Sequence, residues 1–153
     1  MKSNLDDCLK YWRVIRQYTK IKYGLSQSDL DVLLFLYSEG YFGKDKFREF
    51  AQLVSWDEQR FGRLLRDGWI ENFRPRKGGT KGLYSLSFKA KRMITSIYKK
   101  LSGEEIPMTA ENNPMYKKKV AFTDKVYRNM ITRMNAELKK NRLTGQPLHH
   151  APE

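Results

Sequence analysis

The stretch LLRDGWIE, residues 64–71, is the part of the sequence that decides the fold. Its first four residues end a segment in which apolar residues recur at helical spacing, and this segment is predicted to be a helix over 56–67. Gly68 follows that helix, at the position where a residue in the left-handed conformation commonly ends a helix. From Trp69 onward apolar and polar residues alternate, which is typical of a strand. The sequence therefore predicts a helix that passes directly into a strand.

Two strands, over 69–74 and 83–87, are predicted to pair as a β-hairpin. The connection between them, 75–82, contains one proline, three glycines and three cations, which is typical of a flexible basic loop. Ser87 is expected to cap a further helix over 88–101.

Three more helices are predicted upstream, over 5–21, 29–39 and 45–54. The run LDVLLFL in the second of them is apolar almost all round, which marks it as the central helix of the core. An aromatic turn at 41–43 is expected between the second and third helices. Cys8 lies on the apolar stripe of the first helix, where a buried small hydrophobe is expected rather than a reactive thiol.

The chain is long enough for a single domain with extensions. We expect an N-terminal dimerisation helix within 1–24 and a central domain over 25–102. A linker over 103–115, which lacks periodicity, leads to a basic C-terminal helix over 116–143. Residues 144–153 are expected to be a disordered tail.

The distribution of charge points to a polyanionic partner. The 153 residues include 30 Lys and Arg against 17 Asp and Glu, a formal net charge of +13. Residues 1–58 are neutral overall, whereas 59–92 carry ten basic and two acidic side chains and 113–142 carry nine and two. Two basic blocks with so few acids favour attraction to phosphates over a merely solvated surface. A wholly disordered basic chain is excluded by the aromatic share of 13%.

The sequence offers no set of residues for catalysis or for metal binding. It has one cysteine, and its two histidines, His149 and His150, stand side by side near the end. The glycine-rich run at 78–82 lacks the spacing and the following helix of a phosphate-binding loop. No apolar run approaches the ~20 residues of a membrane span. We therefore expect a protein that is not an enzyme, without cofactor or metal, in a cytoplasmic setting on the nucleoid or, if virus-encoded, in a virion.

LLRDGWIE resembles the end of the recognition helix and the entry to the wing in the MarR family of bacterial winged-helix regulators. YSLSFKAK, residues 84–91, is similar to that family's wing exit. The resemblance implies an α+β, mostly helical winged helix-turn-helix with helical extensions at both ends. It also implies a double-stranded DNA-binding protein that regulates transcription, and it leaves open whether a small-molecule effector exists.

Three sets of side chains are expected to contact DNA. On the face of helix 56–67 opposite its apolar residues, four side chains are predicted to lie at base edges and neighbouring phosphates: Gln59, Arg60, Arg63 and Arg66. Four cations of the hairpin are predicted to lie on phosphates or in the minor groove: Arg74, Arg76, Lys77 and Lys81. Further phosphate contacts are expected from three lysines: Lys117, Lys118 and Lys119.

A second function stays open beside transcription regulation. Asp57 and Glu58 bring negative charge to the start of the predicted recognition helix. The C-terminal helix is also more basic than a simple dimerisation helix needs to be. Both features fit an architectural or assembly protein, for example of a viral particle, that uses the same fold for non-specific contacts with DNA or protein.

A homodimer is expected through the terminal helices, since each carries an apolar stripe that the central domain does not need. The residues assigned to that contact are Leu5, Leu9, Trp12, Met130 and Met134. The alternative is that both helices fold back onto their own chain, which would leave a monomer.

Overall fold

The computed structural model describes the backbone of residues 4–144 and the side chains of residues 9–142. Over these residues the protein is α+β and mostly helical, with six α-helices and one three-stranded antiparallel sheet. They form two compact units. One unit is Leu25–Thr95, and the other combines the described residues before Leu25 with those after Thr95. The predicted tail from 145 onward, and the side chains of Leu5 and Cys8, lie outside the described residues.

The elements follow one another in the order α1 (Asn4–Tyr23), α2 (Gln27–Leu36), β1 (Tyr41–Phe42), α3 (Lys44–Ala51), α4 (Arg60–Arg66), β2 (Ile70–Arg74), β3 (Leu83–Leu86), α5 (Phe88–Leu101) and α6 (Phe122–Thr144). The predicted helix over 88–101 and the predicted hairpin are confirmed. α4 begins four residues later than predicted, because the amide of Arg60 donates to the carbonyl of Asp57 in a preceding turn. α6 begins at Phe122 rather than at 116, after a single 3₁₀ turn at Pro114–Tyr116.

The core of Leu25–Thr95 is built around α2, as its all-apolar pattern predicts. Leu30, Val32, Leu33 and Leu36 have no exposed surface. Ser26 caps the helix, since its hydroxyl accepts a hydrogen bond from the amide of Asp29 at 3.1 Å. That cap places Asp29 in the first turn of α2, where its carboxylate becomes part of the site described below.

The sheet has the strand order β1-β3-β2, and both pairings are antiparallel. The segment expected to be an aromatic turn is instead the edge strand β1, in which Tyr41 pairs with Ser85 and Phe42 with Tyr84. The turn prediction was wrong because this pairing joins residues far apart in the sequence. It connects the base of the hairpin to the segment just before α3.

In the other unit, α1 and α6 pack against each other within one chain. The tyrosine hydroxyl of Tyr11 on α1 donates a hydrogen bond to Glu137 on α6. Ile15 on α1 and Ile131 and Leu138 on α6 are fully buried. The inner residues of both terminal helices are therefore covered by residues of the same chain, whereas Leu9 on α1 and Phe122 on α6 stay exposed.

The segment predicted to be a linker, 103–115, is packed into this unit rather than free to leave it. Ile106 and Met115 are buried in it. The side-chain amide of Asn135 on α6 holds the segment with two hydrogen bonds, because it donates to the carbonyl of Ile106 at 2.8 Å and accepts from the amide of the same residue at 3.1 Å. Although its sequence has no periodicity, the segment is ordered, and we call residues 103–115 the strap.

The homodimer stays a prediction, but these contacts change which of the residues assigned to it are accessible. Met134, assigned to a dimer contact, is buried in its own chain, and Met130 and Trp12 are partly buried. Of the assigned residues whose side chains are described, Leu9 alone is exposed. The packing of α1 on α6 joins residues far apart in the sequence, so the separate apolar stripes give no sign of it.

Candidate nucleic-acid interface

The β2–β3 hairpin is the most exposed part of Leu25–Thr95. Every residue from 71 to 80 is exposed. The loop is closed by two backbone hydrogen bonds between Lys77 and Thr80, with N···O distances of 3.1 and 3.0 Å. Gly78 has a φ of 59°, in the left-handed region that favours glycine, so the tight turn depends on that residue.

The base of the hairpin packs against β1, and its two sides approach closely. The pairing of β2 with β3 shifts register between Asn72 and Arg74. Phe73, which lies at this irregularity, stacks on Tyr41 of β1 with ring centroids 3.9 Å apart. A Cβ atom at Gly82 would lie 3.3 Å from the amide nitrogen of Arg76, so the two sides of the loop approach closely there. The cations beyond this point therefore project from an ordered support.

Four cations were assigned to the hairpin, and the structure divides them into two pairs. Arg76 and Lys77 are exposed, and among the described residues no carboxylate lies within ion-pair distance of either. Arg74 donates to the backbone carbonyl of Lys81 at 3.2 Å. The ammonium of Lys81 lies 3.0 Å from a carboxylate oxygen of Asp45 on α3. The loop tip therefore carries the cations that are available to a partner.

A cleft of about 290 Å³ separates this loop from α3. We call it the hairpin cleft; its basic lining residues are Lys44, Arg48, Arg76 and Lys81. Asp45 also lines it, and the hydrogen bond from Lys81 holds the pKa of that carboxyl below its ordinary value. Even with this one negative charge the cleft is strongly cationic, which suits a phosphate.

Lys44 and Arg48 were missed by the sequence analysis. They belong to the first 58 residues, whose basic and acidic side chains balance, so regional charge gave no signal. Their proximity to the hairpin depends on the β1–β3 pairing, which brings the start of α3 to the base of the loop.

The position of Arg60 does not fit the predicted contact with DNA, because the side chain is buried. Its side chain is 3% exposed, and its Nε donates to a carboxylate oxygen of Asp29 at 2.8 Å. Its Nη1 also donates to the carbonyl of Ser55 at 2.8 Å. Because α4 starts at Arg60 itself, this side chain lies at the helix N-terminus and reaches the first turn of α2 instead of solvent. It cannot contact a base edge without breaking a buried ion pair.

Arg63 is also engaged, although about a third of its side chain is exposed. Its Nη2 lies 2.9 Å from a carboxylate oxygen of Asp29 and 3.0 Å from one of Asp57. The hydrogen bond from Arg63 lowers the pKa of the Asp57 carboxyl, and that to Asp29 raises the pKa of the guanidinium. Two arginines of α4 are thus neutralised by two aspartates.

The remaining assigned side chains are exposed. Gln59 and Arg66 flank α4 on its accessible face, and the guanidinium of Arg66 lies 3.7 Å from Asp67. Lys117, Lys118 and Lys119 are exposed in the other unit. The structure therefore brings Arg76 and Lys81 of the hairpin together with Lys44 and Arg48, whereas Arg60 and Arg63 of α4 are held by aspartates.

No protein-family model matches the chain, and no curated protein matches its sequence. Within the described part of the chain, no group of three or more His, Cys, Asp or Glu side chains is placed to hold a metal ion. No helix between residues 4 and 144 has an apolar stretch long enough to cross a membrane.

Proposed function

We propose that the protein binds double-stranded DNA without catalysis, through the hairpin and the hairpin cleft of the unit Leu25–Thr95. The observation that carries the proposal is the exposed pair Arg76 and Lys77 on an ordered loop. Arg76 lines the hairpin cleft together with Lys44 and Arg48 of α3. Cations held on both sides of a cleft suit the phosphate backbone, which supplies much of the affinity of DNA-binding proteins.

The order of the elements supports a winged helix-turn-helix. A winged helix needs a helix, a short edge strand, two further helices and then a hairpin that returns beside the edge strand. That order is matched by α2, β1, α3, α4 and the β2–β3 hairpin, with β3 between β1 and β2. In this proposal α4 is the helix that approaches the major groove, and the hairpin is the wing.

The charge pairing of α4 favours the architectural role over the sequence-specific one. Base reading needs side chains that are free to reach base edges. With Arg60 and Arg63 bound to aspartates, only Gln59 and Arg66 of the assigned set remain available on α4. We therefore propose that phosphate contacts dominate. A MarR-like transcription regulator is the second candidate, favoured by the exposure of those two side chains.

The proposal is tested by replacing the two loop cations together, Arg76→Ala with Lys77→Ala. We expect weaker binding to every short duplex. A plot of log affinity against log salt should also be flatter, by about one unit for each phosphate that the variant no longer neutralises. Fluorescence anisotropy with labelled duplexes at several salt concentrations measures both quantities.

The matched control is Lys91→Ala with Lys99→Ala, which removes the same charge from exposed positions on α5. If the hairpin contacts phosphates, the control should retain most of the affinity and the salt slope. Equal losses in the two double variants would mean that net charge alone matters, and would remove the hairpin from the interface.

Sequence preference separates the two candidate roles. Selection of bound duplexes from a random pool should show little preference if the role is architectural. A regulator should prefer one short site over bulk DNA by on the order of 10³ or more at physiological salt.

A further inference from the structure

A groove of about 600 Å³ lies between α3 and α4, beside the hairpin cleft. Phe47 and Phe61 line it and meet edge to face, with ring centroids 4.9 Å apart. The ammonium of Lys44 sits 5.1 Å from the ring centre of Phe61. The groove therefore has an aromatic lining with a cation placed over it, and its volume is that of a small-molecule site.

Trp56 lines the same groove and is the most exposed large apolar side chain among the described residues, with 86% of its surface accessible. The other two tryptophans contrast with it, because Trp69 is buried under the ammonium of Lys89 and Trp12 is partly buried. An accessible indole beside a concave aromatic surface suits the stacking of a flat ring.

The groove and the hairpin cleft share two cations. Lys44 and Arg48 line both. A phosphate bound by these two cations would therefore lie at the edge of the groove that Trp56 also lines. A cationic site for a phosphate next to a surface for a flat ring matches the two parts of a nucleotide.

Carboxylates line the groove as well. Asp57 is bound to Arg63, whereas Glu58 is exposed. A carboxylate can accept a hydrogen bond from the exocyclic amino group of cytosine or adenine, but it has no donor for thymine. Glu58 can thus accept from a base that carries an amino group, and the side-chain amide of Gln52, which also lines the groove, can donate or accept.

We propose that the groove between α3 and α4 binds one unpaired nucleotide, with its base stacked on Trp56 and its phosphate between Lys44 and Arg48. This inference rests on the proposed DNA binding and deepens it. A base inside a duplex cannot enter a groove of this kind, so the protein should favour DNA that has an unpaired base over intact duplex.

The test compares one duplex with the same duplex carrying a single bulged cytosine. We expect roughly tenfold tighter binding to the bulged duplex, from the stacking of one base. Tryptophan fluorescence should be quenched by the bulged duplex more than by the intact one, since stacking on a base quenches an indole. Free cytidine monophosphate, in a third arm, should not quench at the same concentrations.

Three variants isolate the role of the indole. Trp56→Ala should bind the intact duplex as the natural protein does, but lose the preference for the bulge. Trp56→Phe should keep much of the preference, because phenyl rings also stack, and lose the added quenching. The loop double variant Arg76→Ala with Lys77→Ala should weaken binding to both duplexes and leave their ratio unchanged. Since Trp56 is exposed, none of these changes disturbs the core.

The outcomes separate the two proposals. Equal binding to both duplexes, or a bulge preference that survives in Trp56→Ala, would overturn the nucleotide groove while DNA binding stands; the exposed indole would then be assigned to an apolar protein partner. Binding to the bulged duplex alone would overturn duplex binding and retain the groove. Binding to neither would overturn both. Quenching by free cytidine monophosphate at equal concentration would identify a mononucleotide site rather than a strand site.

Discussion

Arg60 on α4 and Arg76 in the hairpin loop are the same kind of residue in the same basic block, yet they are used in opposite ways. Arg60 is almost completely buried and donates to Asp29, whereas Arg76 is exposed and has no ion-pair partner in the described part of the chain. Arg63 and Lys77 repeat the contrast, since the first is shared by two aspartates and the second is unpaired. Local charge density therefore does not show which cations a partner can reach.

The two arginines differ in the free-energy cost of moving each side chain from its present position to a DNA phosphate. Moving Arg60 out to a phosphate would take away the more deeply buried of the two guanidinium partners of the Asp29 carboxylate, which is costly. Moving Arg76 costs no more than the rotamer freedom of an exposed side chain. We therefore expect changes at the α4 ion pairs to lower mainly stability, and changes at the hairpin cations to lower mainly DNA binding.

The largest expected effect is on stability, from Asp29→Asn. Removing this carboxylate leaves Arg60 buried without a counter-charge, and we expect the free energy of unfolding to fall by about 3–5 kcal/mol. Urea denaturation followed by circular dichroism measures the change. Arg76→Ala, the matched change in the hairpin, should alter stability by no more than about 0.5 kcal/mol.

A double variant makes that comparison sharper. Asp29→Leu with Arg60→Met removes both charges and should recover part of the stability lost in Asp29→Asn, since no unpaired charge is left inside. If Asp29→Asn is as stable as the natural protein, Arg60 is not held by this pair. It would then be available to DNA, and the contrast between α4 and the hairpin would fail.

Much of this contrast lies beyond sequence reasoning. The helix at 88–101, the hairpin and the core role of α2 follow from local patterns of period and composition, and the structure bears them out. The pairing of Arg60 with Asp29 joins residues 31 positions apart, so no local pattern reports it. A helical face was drawn for residues 56–67, but the structure has a turn before Arg60, and that later start turns Arg60 inward.

The same limit explains the rest of the candidate site. Trp56 was expected inside a helix and lies in the connection before α4, where its exposure could not be foreseen. Lys44 and Arg48 were hidden in a neutral region, and only the β1–β3 pairing brings them to the hairpin. The strap at 103–115 has no periodicity because its burial depends on Asn135 of α6.

A medium effect is expected on sequence preference, and it should come from Arg66 rather than Arg63. Arg66 is exposed on α4, so Arg66→Ala should reduce preference at one base position by roughly 1–3 kcal/mol if it reads a base. Arg63→Ala should weaken binding to all duplexes alike, through its effect on the turn that Asp57 holds. Affinities for a panel of duplexes that differ at single positions decide between the two residues. A base-specific loss in Arg63→Ala would show that its aspartates release it on DNA.

The smallest expected effect comes from Asp45, the acidic member of the hairpin cleft. Asp45→Asn removes a negative charge beside the DNA and frees Lys81, so we expect binding to tighten by about two- to fivefold at low salt. Glu49→Gln is the matched control, because it removes one exposed charge from the same helix, away from the cleft.

Lowering the pH from 7 to 5 should not reproduce the effect of Asp45→Asn. The hydrogen bond from Lys81 lowers the pKa of Asp45, so the carboxylate stays ionised throughout that range in the natural protein. Anisotropy titrations at both pH values measure this, and the ratio of the affinities of Asp45→Asn and the natural protein should be the same at each. If Asp45→Asn and Glu49→Gln tighten binding equally, the cleft has no special role, and the hairpin tip alone would carry the contrast with α4.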